Sequence, residues 1–355
     1  MFKKLEEVER RFEDLERRLQ DPTINAADIR KFSKEHADLG ELVRTYREYR
    51  QNQADLAASK EMVLDSDAEM RSLAKEEISR IEPELERLTK ELNLLLLPKD
   101  PNDDKNIILE VRAGAGGDEA SLFAFEMFRM YQRYAEKRNW RVEVLSVSPT
   151  GTGGLKEVSA LIAGDKVFSR LKNEGGVHRV QRIPETETQG RVHTSTVTVA
   201  VLPEAEEVDI VINPNDLRID VMRSGGSGGQ SVNTTDSAVR IVHIPSGVEV
   251  KCQDEKSQIK NRDKAMKILR ARLFKIEQER VDAIEIAARR SMVGTGDRSE
   301  RIRTYNFPQS RLTDHRIGLT LHSLPDIMEG HIDPVVDALI AHVQAEQLKN
   351  STSIL

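Results

Sequence analysis

Residues 223–233 read Arg223-Ser224-Gly225-Gly226-Ser227-Gly228-Gly229-Gln230-Ser231-Val232-Asn233 and lie between two strand-like runs, Ile219-Asp220-Val221-Met222 and Val239-Arg240-Ile241-Val242-His243-Ile244. Four of the five positions from 225 to 229 are glycine. Without a Cβ, such a loop reaches backbone conformations closed to other residues and can bring its amides against a crowded surface. Ordering it costs conformational entropy, so the loop repays its presence when something docks on it. On the glycines alone, a plain hairpin connection stays open as an alternative. Two nucleotide-binding readings fail. A phosphate-binding P-loop needs Lys and Ser/Thr directly after its last glycine, where this chain has Gln230 and Ser231. A dinucleotide fingerprint leads into a helix, whereas this run leads back into a strand. What remains is a strand-to-strand loop tipped by Gly-Gly-Gln with basic flanks.

Working outward, Ile241 to Val250 reads as a hairpin turning at Pro245-Ser246-Gly247. A long helix is predicted from about Gln258 to Arg290, with Ile268, Leu269, Leu273 and Ile276 facing inward. It also carries Lys260, Arg262, Lys264, Lys267, Arg270, Arg272 and Lys275. Such a face can simply be solvated. Beside a glycine-rich tip, contact with a phosphate backbone is the better reading. These elements define a domain over 214–300. Residues 291–308 are polar, Arg-rich and punctuated by Gly294 and Gly296, and read as a mobile connection, a switch or hinge. A closing helix is expected over 330–348.

Upstream, residues 1–97 read as a helical arm. Leu5, Val8, Phe12, Leu15 and Leu19 recur at steps of three and four; Leu39, Leu42, Tyr46, Tyr49 and Leu56 resume the pattern after a break at Asp21-Pro22; Ile78, Ile81, Leu85, Leu88, Leu92 and Leu95 form a third stripe. Seams of this period pack helices into a coiled-coil-like bundle. Pro98 to Asp104 is a linker by composition. Then come a strand from Ile107 to Arg112, a helix opened by Gly116-Gly117-Asp118-Glu119 and running to about Arg138, strands at 141–147 and 155–162, a short helix at 165–172, and a strand at 194–202. That order indicates an α+β layer over 105–213, with 309–355 packing on it. The fold expected is therefore a multidomain α+β protein: a helical bundle arm followed by two α+β domains, one bearing the glycine loop. The stretch from Gly175 to His193 is read as a loop dense in hydrogen-bonding side chains. It is either a surface turn bounded by Pro184 and Gly190, or a reading head for an irregular polar target.

Composition sets the frame. Of 355 residues, 32% are charged and 4% aromatic, which favours long helices and wet surfaces over one large globule. The net charge of -6 argues against nucleic-acid binding by itself. The charge is uneven, however: residues 1–97 hold 18 Lys and Arg against 23 Asp and Glu, while 218–303 hold 18 against 12. A basic segment of that kind can dock on phosphate although the whole chain is acidic. The one cysteine, Cys252, rules out an internal disulfide and fits a reducing compartment. The acidic start and the lack of a long apolar run lead to the expectation of a soluble, cytoplasmic protein with no membrane partner.

The tip and its context resemble the bacterial class I peptide chain release factors, and so does Asn306-Phe307-Pro308-Gln309-Ser310-Arg311-Leu312-Thr313-Asp314-His315-Arg316. The class reading UAA and UAG carries Pro-x-Thr in its reading loop, here Pro184-Glu185-Thr186, with Glu185 at the tolerant middle position; the Ser-Pro-Phe of the UGA-reading class is absent. The resemblance implies that Thr186 bonds the first two bases and that Gly116 and Glu119 recognise the leading uridine. It also implies that His193 stacks between bases while Gln181 and Thr194 read the third. At the tip, Gly228 and Gly229 would permit the geometry in which the Gln230 backbone N–H stabilises the transition state and leaving 3′-hydroxyl; its side chain would border the water site. A backbone amide can do this without a side-chain acid or base. The sequence shows no nucleophile elbow, no HExxH and no cysteine cluster, so neither a metal nor a cofactor is expected. The partners implied are the ribosome with its decoding and peptidyl transferase centres, the mRNA stop codon, P-site peptidyl-tRNA, a glutamine methyltransferase acting on Gln230, and a recycling GTPase release factor.

A compact 355-residue globule has a radius of gyration of roughly 20 Å. That is too short to join two distant ribosomal centres, so the 214–300 domain is expected to swing outward on binding. The competing readings are a codon-independent rescue hydrolase with the same tip, and a non-catalytic RNA-binding or coiled-coil scaffold.

Overall fold

The computed structural model describes residues 2–64, 67–98, 100–184, 187, 189–205, 212–225 and 236–352. The chain divides into two units, residues 1–100 with 339–355, and residues 101–338.

The first unit is built on three helices, α1 (Phe2–Leu19), α2 (Ala26–Met62) and α3 (Ala68–Leu95). The expected break at Asp21-Pro22 is there: the Asp21 carboxylate turns the chain by accepting the Thr23 amide at 2.9 Å. Asn25 and Asp67 then cap α2 and α3 by accepting the Asp28 and Glu69 amides, at 2.8 and 2.9 Å. The stripes meet as the spacing required, with Leu5, Leu42, Tyr46 and Leu92 buried in one cluster. Burial of such side chains is worth about 1.5–3 kcal/mol each and outweighs the exposed ion pairs between the helices, such as Arg47–Glu9.

The second unit holds an eight-stranded sheet. Its strands are β1 (Ile107–Ala113), β2 (Arg141–Pro149), β3 (Leu155–Ala163), β4 (Gly176–Arg182), β5 (His193–Pro203), β9 (Arg301–Asn306), β10 (Arg311–Asp314) and β11 (Leu319–Leu321), in the order β11-β10-β9-β4-β5-β1-β3-β2. The β4–β9 pair is parallel and the other pairs are antiparallel. Helix α4 (Asp118–Lys137) lies on one face. Ile107, Leu109 and Val111 alternate toward the core, as a period of two demands, and Phe123, Met127, Met130 and Tyr131 of α4 are buried with them. A short helix, α5 (Val167–Leu171), leads into β4; helix α7 (Leu324–Met328) follows the sheet, and α8 (Asp333–Thr352) starts in this unit and continues into the residues counted with the first.

Two segments depart from the sequence reading. Gly176–Arg182 is a strand, not the first half of a polar loop, and Val177, His178 and Val180 are buried in it. Arg301–Asn306, read as part of a polar connection, is also a strand, with Arg303 and Tyr305 fully enclosed. The fully enclosed His178, Arg303 and Tyr305 are paired rather than solvated. Arg303 donates to Glu174 at 2.6 Å and to Asp314 at 2.7 Å, and Tyr131 donates to Glu174 at 3.0 Å. A buried charge is tolerated only when paired in this way.

A separate three-stranded sheet, β6 (Leu217–Met222), β7 (Ala238–His243) and β8 (Glu249–Cys252), packs on helix α6 (Gln258–Val293). Its core joins Val239, Ile241, Val250 and Cys252 to Ala265, Leu269 and Leu273. The expected hairpin and long helix are both present. Ile276, expected inside, is 47% exposed, because this small sheet covers only the first part of a 36-residue helix.

Candidate functional site

One end of the large sheet collects the residues expected to read a base. The turn after β1 is tied across β5: the Gly114 amide donates to the Thr196 carbonyl and the Thr196 amide to the Ala115 carbonyl, both at 2.8 Å, and the Thr196 hydroxyl accepts the Ala115 amide at 2.9 Å. This contact is so close that Gly116 has no substitute. Its φ is 144°, and a Cβ there would lie 2.2 Å from the Ser195 Oγ. Gly116 therefore rests on β5 beside Thr194, and Glu119 follows in the first turn of α4. The β4–β5 ladder sets Gln181 opposite Thr194 and Arg182 opposite His193. On the other side of β4, the Gln181 carbonyl accepts the Phe307 amide at 3.0 Å, and Asn306 donates to the Gln181 side chain at 3.4 Å. His193 is 2.6 Å from the Glu187 carboxylate. Pro184 is buried just after β4. Gly116, Glu119, Gln181, His193 and Thr194 are thus gathered at one place; Glu185 and Thr186 lie outside the described residues.

The chemistry of this end is set by a buried carboxylate. Glu119 is 3% exposed and accepts Arg182 Nε at 2.7 Å through Oε1, while Oε2 is buried with no hydrogen-bond partner. Burial pushes the Glu119 carboxyl above the usual carboxylate range, and the Arg182 hydrogen bond pulls against it. The same guanidinium donates to Glu126 at 2.6 Å and lies 4.9 Å from the centre of the Phe307 ring. Arg182, Glu126 and Phe307 were not singled out from sequence. The available signal was the seven-residue step from Glu119 to Glu126, which puts two carboxylates on one face of a helix.

The tip residues Gly228, Gly229 and Gln230 lie outside the described residues, but the stem that carries them is defined. Met222 pairs with Ala238 at the end of the β6–β7 ladder. Beyond it the Ser224 and Ser237 hydroxyls are 2.6 Å apart, and the Gly225 amide donates to the Gln253 side chain at 3.2 Å. Asn261 of α6, fully buried, donates to the Ser237 carbonyl at 2.7 Å and the Glu255 carbonyl at 2.8 Å, and accepts the Glu255 amide at 2.9 Å. The basic side chains of α6 from Lys260 to Lys275 are exposed, as the sequence suggested. Among the described residues, no group of three or more His, Cys, Asp or Glu is placed to hold a metal ion, and no helix is long and apolar enough to cross a membrane.

Comparison with known proteins bears on the whole chain. The PCRF domain matches residues 8–199 and the RF-1 domain residues 206–316. Peptide chain release factor 1 of Acidobacterium capsulatum is 59% identical over 352 residues, and that of Solidesulfovibrio magneticus is 60% identical over 351; each alignment covers 98% of both chains. The chain belongs to the peptide chain release factor family. Among solved structures, RF2 of Thermus thermophilus superposes on this release factor with a TM-score of 0.51 at 38% identity, covering 95% of each chain. The function that goes with this membership is stop-codon-dependent termination of translation, with the ribosome as the partner it implies.

Proposed function

We propose that this release factor reads UAA and UAG in the ribosomal A site and promotes hydrolysis of the peptidyl-tRNA ester in the peptidyl transferase centre. The observation that carries the reading is the gathering of Gly116, Glu119, Gln181, His193 and Thr194 at one end of the sheet, while the glycine loop is borne by a separate small sheet. In this reading Gly116 and Glu119 take the leading uridine, and Pro184-Glu185-Thr186 contributes Thr186 to the first two bases. His193 stacks between bases, and Gln181 with Thr194 reads the third. Unpaired bases offer both a stacking face and a hydrogen-bonding edge to such side chains. Gly228 and Gly229 let the Gln230 amide meet the developing negative charge, and rRNA supplies the rest of the active site. Methylation of Gln230 by a glutamine methyltransferase, departure aided by a recycling GTPase release factor, and a cytoplasmic location belong to the same proposal. Since 301–306 is a strand of the sheet, the pivot for an outward swing of the small sheet with α6 falls on 294–297. A codon-independent rescue hydrolase would lack the reading domain, whereas the alignments run through it.

Two substitutions assayed in parallel test the assignment. Gly229→Ala should bind stop-codon-programmed ribosomes normally and lose at least about 100-fold in release rate, the scale of a lost transition-state hydrogen bond. Thr186→Ala should weaken codon discrimination and leave codon-independent hydrolysis intact. Normal release by the first, or equal loss in both assays by the second, would contradict the roles given to them.

A further inference from the structure

We infer that Arg182 is a positioning residue for stop-codon reading: it locks the first turns of α4 to the base of the reading loop and so fixes the spacing between the two halves of the site. The inference rests on the reading site proposed above. Arg182 is the last residue of β4, so the 183–192 loop leaves from it, and its cross-strand partner His193 is where that loop returns. Its guanidinium meets α4 and the turn after β9. Nε donates to Glu119 at 2.7 Å, Nη1 donates to both oxygens of Glu126 at 2.8 and 2.6 Å, and the plane covers Phe307. The side chain is 15% exposed, and that of Glu119 is 2% exposed.

Three elements therefore converge on one side chain: α4, β4 and the turn after β9. An ordinary core ion pair would need only one carboxylate. Here the planar fork spans two, seven residues apart, and the ring behind it limits rotation of the guanidinium. Lysine could keep the charge but could not hold both carboxylates and the ring at once. Without this clamp, the turn with Gly116 keeps its ties to β5, but the first turn of α4 with Glu119 loses this tie to β4. Small displacements at such a site are felt in binding, since positioning groups act through distances below 1 Å. In this assignment Arg182 acts through Glu119 rather than on a base, so the chemistry proposed for Gly228-Gly229-Gln230 should be unaffected.

The test is peptide release on ribosomes programmed with UAA, UAG and a near-stop sense codon, titrating wild type, Arg182→Gln and Arg182→Lys, with thermal melting of each. For Arg182→Gln we expect the concentration for half-maximal release on stop codons to rise about 10- to 100-fold, with the maximal rate within about threefold of wild type, the split expected for lost binding rather than lost chemistry. Arg182→Lys should recover only part of that affinity. Unchanged half-saturation and codon preference in Arg182→Gln would overturn the inference. So would a fall in maximal rate matching the loss of folded protein. Should Arg182→Gln fail to fold, Phe307→Leu and Glu126→Gln each remove one restraint and keep the others. Each should shift half-saturation in the same direction at a normal maximal rate, and no shift in either would equally overturn the inference. If wild type itself ignored the codon, the underlying reading would fail rather than this assignment alone.

Discussion

His178 shows how much a single residue can conceal. In the sequence it stands in a polar stretch among eight scattered histidines. In the fold it is completely buried, with Nε2 3.0 Å from the Glu174 carbonyl and Nδ1 3.1 Å from the Tyr305 hydroxyl. A carbonyl can only accept, so Nε2 carries the proton and Nδ1 accepts from the tyrosine: the ring is neutral. Burial, assisted by the nearby Arg303 charge, depresses its pKa to about 4. In the unfolded chain it would titrate near the usual value of about 6.5. Between those values the unfolded chain takes up a proton that the folded chain refuses, so stability falls as pH drops from about 6.5 to 4, by roughly 3 kcal/mol in all. Asp314, held down at about 2, adds a further loss as pH falls from about 4 toward 2. Urea midpoints measured from pH 7 to 4 should fall steeply for wild type and more shallowly for His178→Gln, which lacks the titrating ring. Equal slopes would assign the acid sensitivity elsewhere. Arg303 carries a similar lesson: in the sequence it adds to the positive balance of 218–303, and in the fold it is an internal partner of Glu174 and Asp314.

At the scale of elements, legibility followed the range of the interactions. Helices α1 to α3 were visible because their seam is written in local steps of three and four, and β5 because Thr alternates with apolar residues. Strands β4 and β9 were not. Key partners of their enclosed side chains stand far away in the chain, as Glu174 does for Arg303 and Tyr305 for His178, and nothing local distinguishes such a residue from a solvated one. The end of the sheet proposed to read the codon shows the same divide. The resemblance points to Gly116, Glu119, Gln181, His193 and Thr194, whereas Arg182 emerges only when α4 and β4 are side by side. The stem of the glycine loop gives the prediction for this scale. Asn261→Ala would leave the Ser237 carbonyl and both backbone groups of Glu255 without their partner, a cost of about 1–3 kcal/mol for each buried group left unsatisfied. Amide exchange in β7 and β8 should accelerate, and release should slow at unchanged stop-codon affinity. Wild-type exchange rates with slow release would remove Asn261 from the account of the stem.

For the whole molecule, the proposed function uses two separately built parts, the end of the large sheet proposed to read the codon and the glycine loop between β6 and β7 proposed to promote hydrolysis, joined in one chain through α6 and the residues after it. The RF-1 match from 206 to 316 runs across the small sheet, α6, β9 and β10, so that motif is not confined to the loop-bearing layer. The acidic arm in the first unit contributes neither a reading residue nor the tip in this account. In the proposed function, hydrolysis is gated by the identity of the codon. The measurement that decides it is peptide release from ribosomes programmed with UAA, UAG, UGA or a sense codon. Release on UAA and UAG alone is expected. Release on UGA as well would contradict the assignment of the Pro184-Glu185-Thr186 loop, and equal release on all four would contradict codon gating itself.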